Sequence, residues 1–280
     1  MEKSKPGWVI LTYVLLILWL IFSIFPIYWL SATAFKGAEE AIQYPPSLFP
    51  RVWTISSFRE LFFETSFGIR PFQNSAILGI GTALVSTTLA AMAGYGFSRF
   101  PFRGSRGLLI SILLINMISA YAVIIPLYRI FILYGLFNTF YGLILVYSTF
   151  TAPFVTWLLK GYFDTIPREL EEAAELDGCN RLRVLWHIML PLAAPGLAAG
   201  LIFGFIEGWN EFLIAVTLTS GMNIRPYTAG LYAFIGEYGL VQWHLVGAAT
   251  FISVIPVLIL FGIFQKYFII GLAQGGMVEQ

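Results

Sequence analysis

Apolar residues run through this chain in long blocks, not in the short alternating patterns of a sheet protein. Trp8 to Phe35 contains no Asp, Glu, Lys or Arg; neither do Pro71 to Ser98, Gly107 to Tyr128, Ile130 to Leu159 and Leu245 to Gln265. A further block, Pro195 to about Thr219, is interrupted only by Glu207 and Glu211. A helix of roughly 20 apolar residues crosses a bilayer core about 30 Å thick, so each block predicts one span. Ile130 to Leu159 is longer than one span needs, and Gly135-Leu136-Phe137-Asn138 predicts a turn ahead of the fourth helix. The expected fold class is all-α integral membrane: six transmembrane helices in a single domain over 1–280. A signal peptide is the rival reading of the first block, because Lys3 and Lys5 precede it and Ala32-Thr33-Ala34 offers small residues for cleavage. Its apolar run exceeds the roughly 7 to 15 residues of such a peptide, which favours a retained helix.

Composition agrees with lipid as the solvent. Of the 280 residues, 58% are hydrophobic and only 11% charged, against about 25% charged in a soluble domain. Mean hydropathy is +0.80. A formal net charge of +1 provides no basic footprint for nucleic acid. Cys179 is the only cysteine, which excludes an intramolecular disulfide and a cysteine-based zinc site. With His187 and His244 the only histidines, no catalytic constellation, metal site or cofactor is expected.

The basic residues set the orientation. With the N-terminus inside, inner segments hold Lys3, Lys5, Arg99, Arg103, Arg106, Lys160, Arg168, Arg181, Arg183 and Lys266, against Lys36, Arg51, Arg59, Arg70, Arg129 and Arg225 outside. Four of those six lie in one long outer loop, 36–70, which counts less. Both termini are therefore expected in the cytoplasm, with a tail over 266–280. The outer loop carries Tyr44-Pro45-Pro46 and Pro50 and reads as turn-rich, not helical.

The longest inner segment, 160–195, is polar. Pro167 suits the first turn of a helix and Gly178 its end, with Leu170, Ala173 and Ala174 on one face. Asn180 is placed to cap a second short helix that runs to Pro191. Six acids between Asp164 and Gly178 face Arg168 alone, so this helix–turn–helix would repel nucleic-acid phosphates and anionic lipid. One reading is a solvated charged face without a partner; the small pair Ala173-Ala174 favours close approach of another protein.

Glu172-Ala173-Ala174, then Asp177-Gly178, then Ile188, Leu190 and Pro191, resembles the EAA loop of ABC-importer permeases. Ile125-Pro126-Leu127-Tyr128, Gly135 to Thr139, Trp209-Asn210-Glu211-Phe212 and Gly271 to Gly276 are similar to the carbohydrate-importer branch, the maltose-type second permease in particular. The similarity runs from about Trp8 to the C-terminus. Seven positions before Pro126, where that family often has proline, stands Ser119, and Met277 to Gln280 replaces a commonly basic ending. The resemblance implies that Glu172 to Gly178 is a coupling loop between helices 4 and 5, inserted into a cleft on a separate ATPase subunit. It also implies a second permease, two ATPase copies, an extracytoplasmic solute-binding protein, the cytoplasmic membrane as location and a sugar as cargo. The tail glycines Gly271, Gly275 and Gly276 would meet the ATPase. The outer turn Gly221-Met222-Asn223 would reach into the binding protein. None of the five lysines follows a glycine, so the chain has no GxxxxGK[ST] phosphate loop.

The fifth helix carries Gly196, Gly200, Gly204 and Gly208, a small residue every fourth position. In lipid such ridges let helices approach closely. Glu207 lies 11 steps from Gly196, roughly 16 Å at about 1.5 Å per residue, near the midplane. A charge there costs about 2.5–3.5 kcal/mol on insertion scales. Either Glu207, Asn210 and Glu211 line a wet translocation path, or Glu207 is neutralised and fixes packing. Trp209-Asn210-Glu211 reads as facing the path or a subunit interface. The alternative function is an ion-coupled secondary transporter using Glu207 and Glu211, which broken helices and inverted repeats would support.

Overall fold

The structure is a computed structural model that describes residues 6–65, 67–100, 102–117, 120–234 and 241–275. Among the described residues there are helices and connecting turns but no β-strand. The principal helices are α1 (Pro6–Ala34), α2 (Arg70–Arg99), α3 (Ser105–Leu114), α4 (Ala120–Leu133), α5 (Phe140–Thr165), α6 (Glu169–Leu176), α7 (Ala194–Asn210), α8 (Leu213–Leu218) and α9 (Trp243–Gly275). By length and apolar composition, four segments can cross a membrane: Trp8–Ala34, Arg70–Arg99, Phe140–Thr165 and Trp243–Gln265. A fifth is counted when the pair Arg181–Leu192 and Ala194–Asn210, bent by 82°, is taken as one span.

Two expected spans are less regular than their composition suggests. The block 107–128 is helical through Leu114, tightens to a 3₁₀ turn at Ile115–Met117 and resumes as α4 at Ala120. Ser119 lies outside the described residues. The block 195–219 breaks at Glu211, whose backbone is extended (φ −63°, ψ 131°), before α8 begins at Leu213. Segment 36–70, expected to be turn-rich and not helical, contains short helical stretches, Ala38–Ala41 and Ser56–Arg59, the latter running on as a π-helical turn over Glu60–Glu64.

The chain divides into two compact units, Met1–Gly68 with Leu231–Ile255 and Ile69–Gly230 with Pro256–Gln280. In the first, Gly247 lies against the α1 backbone; a Cβ there would stand 2.9 Å from the Ala34 nitrogen and 3.0 Å from the Leu30 carbonyl. Most of α1 between Trp8 and Ile27 is exposed, as a helix meeting lipid or another chain must be. Lys36, only 2% exposed, donates to the Ser47 carbonyl at 2.5 Å and lies 4.7 Å from the centre of the Trp29 ring. Burial lowers its pKa, opposed by the charge of Glu40. The Arg51 amide and the Ser47 hydroxyl each donate to Glu40 Oε1 at 2.8 Å, and these bonds, the Arg51 one first, hold the Glu40 carboxyl below its ordinary range. A lowered native pKa gives stability that is complete above the ordinary value, about 4.3, and is lost as pH falls through the native value. Hydrogen exchange over 40–51 should accordingly rise on acidification below about pH 4, and Glu40→Gln should remove that dependence.

In the second unit α2 packs against both α5 and α7. Its buried face is a stripe of small side chains, Gly79, Thr82, Ala83, Ser86, Thr87, Ala90, Ala91 and Gly94. The glycine ridge of α7 lies on this stripe and on α5. A Cβ on Gly196 would meet the Tyr162 ring at 2.5 Å and one on Gly200 Val155 at 2.7 Å; at Gly204 it would meet Ala83 Cα, and at Gly208 the Leu78 carbonyl, both at 2.8 Å. The turn 135–139 sits beside the end of α8. Asn138, in the left-handed region (φ 55°), donates its N–H to the Leu218 carbonyl at 2.9 Å and accepts from the Ser220 amide at 3.0 Å. Thr139 then caps α5 by accepting from the Gly142 amide.

Candidate functional site

The polar segment after α5 forms a short helix and a bent return. α6 is stopped by a Schellman turn: Gly178 (φ +85°) donates to the Glu175 carbonyl and Cys179 to that of Ala174, both at 3.0 Å. Asn180 caps the next turn by accepting from the Arg183 amide at 2.9 Å. Arg181–Val184 continues as a π-helical stretch, Leu185–Met189, and then Leu190–Leu192. Pro167 precedes α6, whose first residue is Glu169.

The two faces of α6 differ from the grouping that its apolar residues suggest. Ala174 is buried in an apolar cluster with Tyr95, Phe163, Ile166 and Met189, and Glu171, one turn earlier on the same face, is also turned inward. Leu170, Glu172, Ala173, Glu175, Leu176 and Asp177 are exposed, Leu176 by 89%. Of the later motif residues, Ile188 and Leu190 are half-buried and Pro191 exposed. Met189 between them is fully buried.

The Glu171 carboxylate is paired with Arg99 Nε, their side chains 12% and 7% exposed, and accepts from the Tyr95 hydroxyl at 3.1 Å. Arg99 Nη2 also donates to the Ile166 carbonyl at 2.7 Å. Beside them Ser98 donates to Asp164 at 2.6 Å, and Lys160 pairs with the other Asp164 oxygen at 2.5 Å. A cavity of about 340 Å³ opens here, lined by Arg99, Arg168 and Arg181 and by Glu171, Glu172 and Glu175. Sequence reasoning missed this network. Its only trace was the i, i+4 pair Tyr95 and Arg99 at the end of α2, opposite a helix rich in acids.

At the other end of the glycine ridge, Glu207 is exposed and has no hydrogen-bond or ion-pair partner among the described residues. Trp209 is 2% exposed, stacked on Phe205 (5.5 Å, 17°) and leaning on Tyr227 (5.3 Å). Asn210 stands exposed and accepts from the Tyr227 hydroxyl at 3.2 Å. Glu211 caps α8: its two carboxylate oxygens accept from the Ile214 and Ala215 amides, each at 2.8 Å. Its carbonyl accepts from Thr228 Oγ1 at 2.6 Å. Glu207 and Glu211 thus do not present one continuous helical face, because the helix ends between them. Capping residues are worth about 0.5–2 kcal/mol. Glu211→Ala should lower the thermal midpoint in detergent accordingly, and Glu211→Gln should recover only part of the loss, because its single carbonyl oxygen serves one of the two amides and its NH2 faces the other.

The outer turn is tied to the start of α2. Arg70 donates to Asn223 Oδ1, and Asn74 Nδ2 donates to the Asn223 and Arg225 carbonyls, each at 3.0 Å. Gly271 and Gly275 fall in the last turns of α9, while Gly276 and the residues after it lie outside the described residues.

Long apolar helices seamed by glycine define a multi-pass membrane protein. Residues 86–272 match the family described as binding-protein-dependent transport system inner membrane component. The chain is 33% identical over 263 residues to the inner membrane ABC transporter permease protein YcjP of Escherichia coli (strain K12), covering 94% of each chain. It is 32% identical over 268 residues to the maltodextrin transport system permease protein MdxG of Bacillus subtilis (strain 168), covering 95% of each. Its fold is similar to that of a chain in the crystal structure of a bacterial ABC transporter involved in the import of the acidic polysaccharide alginate. The TM-score is 0.81, at 24% identity, over 96% of this chain and 99% of that one. The chain belongs to the family of binding-protein-dependent transport system inner membrane components.

Proposed function

We propose that the whole chain, 1–280, works as one permease domain in the cytoplasmic membrane, with six spans and both termini inside, and forms half of a path for a sugar or oligosaccharide. Its partners are a second permease of the same kind, two ATPase subunits and an extracytoplasmic solute-binding protein. The absence of a phosphate loop in the sequence means that ATP is hydrolysed by the partners. Relatives named for maltodextrin and, among solved structures, for alginate import support a carbohydrate cargo.

The observation that carries this reading is the two-faced helix α6. It is seated on its own bundle by Glu171 and Ala174, and it holds Glu172, Glu175, Asp177 and a nearly fully exposed Leu176 outward. An exposed leucine among carboxylates fits a protein cleft. The 82° bend between Arg181–Leu192 and α7 suits a connection that lies along the membrane surface before the chain turns into it. Glu207 and Asn210, exposed on an otherwise apolar helix, face the path or the sister permease, since lipid contact would cost several kcal/mol. Gly271, Gly275 and Gly276 belong to the tail that meets the ATPase.

Co-purification from membranes in mild detergent tests this directly. An ATPase, a second permease and, in the presence of its ligand, a binding protein should be recovered with the chain. Recovery of the chain alone, with uptake abolished by an ionophore and indifferent to ATP depletion, would instead identify an ion-coupled carrier using Glu207.

A further inference from the structure

α6 is joined to the chain on either side, through Ile166–Arg168 to α5 and through Asp177–Ala193 to α7. Both connections also touch α2, the helix on which α5 and α7 pack: Ile166 through its carbonyl, and Leu185 and Met189 through the buried apolar cluster that includes Ala90, Ala91 and Tyr95. The one charged bridge from α6 to α2 among the described residues is Arg99–Glu171. Arg99 is the last residue of α2, and its guanidinium grips two elements at once, the Glu171 carboxylate of α6 and the Ile166 carbonyl that ends α5. Tyr95, one turn earlier, takes the second Glu171 oxygen while its ring meets Phe163 of α5 edge-on at 5.9 Å. On α6 itself, apolar anchoring is thin: Ala174 is the only buried residue. Of α6's own side chains, Glu171 and Ala174 turn inward, so the polar attachment of this helix to α2 rests on the Glu171 carboxylate held by Arg99 and Tyr95. Removing one partner would strand the other charge where water has little access.

Resting on the reading of α6 as the docking helix, we propose that Arg99, aided by Tyr95, is a positioning residue for coupling. Its clamp on Glu171 makes α6 and the end of α2 move as one body. A pull on α6 is thereby delivered to α2 and, through the small-residue seam with Gly204 and Gly208, to α7. Without the clamp, α6 would still bind its partner but would tilt against the end of α2, with Ala174 its one remaining inward side chain. The guanidinium aims separate donors at the carboxylate and the carbonyl in one rigid fork, whereas a lysine ammonium is a point charge on a flexible stem, so lysine should substitute poorly.

The test uses the full transporter complex with spin labels at Leu89 and Glu169, both exposed, in a Cys179→Ser background. Interlabel distance is measured with and without a non-hydrolysable ATP analogue. The unaltered clamp should give one narrow distance that the nucleotide leaves unchanged. Arg99→Gln and Arg99→Lys should lose it to a broad, nucleotide-dependent distribution, while ATPase subunits remain bound in the usual ratio. Tyr95→Phe should give an intermediate width, and Arg99→Glu combined with Glu171→Arg should narrow the distribution in part, because the ion pair returns while the Ile166 carbonyl loses its donor, a recovery that a misfolded variant would not show. Narrow, unchanged distances in Arg99→Gln with ATPase retained would overturn the clamp alone. Absence of ATPase from the unaltered chain would overturn both the clamp and the docking role of α6.

Discussion

Gly204→Val is expected to remove about 3 kcal/mol or more from the stability of the helix bundle, in the upper range for overpacking, and to reduce sharply the folded protein recovered from membranes. The reason is the identity of the atoms in the way. A Cβ at position 204 would stand 2.8 Å from Ala83 Cα and 3.3 Å from Ala83 N, backbone atoms of α2 that can retreat only if the helices separate. Separation would open the whole small-residue seam, in which Gly200 and Gly208 meet α5 and α2 just as closely. Gly96→Ala provides the control. It is the same class of change within α2, but nothing lies within 4 Å of the added atom, and glycine in a helix interior is about 0.5–1 kcal/mol less favourable than alanine. Thermal midpoints in detergent should therefore fall steeply for Gly204→Val and hold or rise for Gly96→Ala. Equal midpoints for the two would show that the seam does not set stability.

Glu172→Lys should reduce the ATPase recovered with the chain, and ATP-driven uptake with it, by at least about tenfold, a change of about 1.4 kcal/mol in binding. Glu172 is exposed and makes no ion pair among the described residues, so the fold should be nearly indifferent: exposed substitutions usually stay within about 0.5 kcal/mol. A lost function with an unchanged thermal midpoint separates a docking residue from a structural one. Gly178→Ala should act differently. There is open space around Gly178 but its φ is +85°, so the cost is conformational, about 1–2 kcal/mol, and it falls on the end of α6 and the direction of the chain after it. Full ATP-driven transport by Glu172→Lys would count decisively against α6 as the coupling element.

Much of this was readable from local pattern. Charge-free blocks marked the helices. The turn at Gly135 to Asn138, the stop at Gly178 and the cap at Asn180 were visible because each depends on a residue and its near neighbours along the chain. The glycine repeat of α7 announced a close-packed seam for the same reason, since a period of four residues places one face of a helix wherever that helix lies. Glu211 was harder. A carboxylate in an apolar block reads as a buried charge awaiting a solute or proton, whereas here the chain breaks and the carboxylate turns forward onto the amides of Ile214 and Ala215. Trp209 similarly belongs to a stack with Phe205 and Tyr227 that spacing alone does not reveal.

By itself, then, the sequence determined a multi-pass helical chain, the ridge on which its fifth block packs and the polar helix that lies between two spans. Those features follow from hydrophobic period, helix propensity and end-capping, all written within a few residues. Only the tertiary structure decided which face of α6 turns inward. That choice depends on Arg99 and Glu171, 72 positions apart, being brought together by the packing of α2 on α5. An ion pair forms wherever the backbone places its two groups within reach, and no local pattern records that distance.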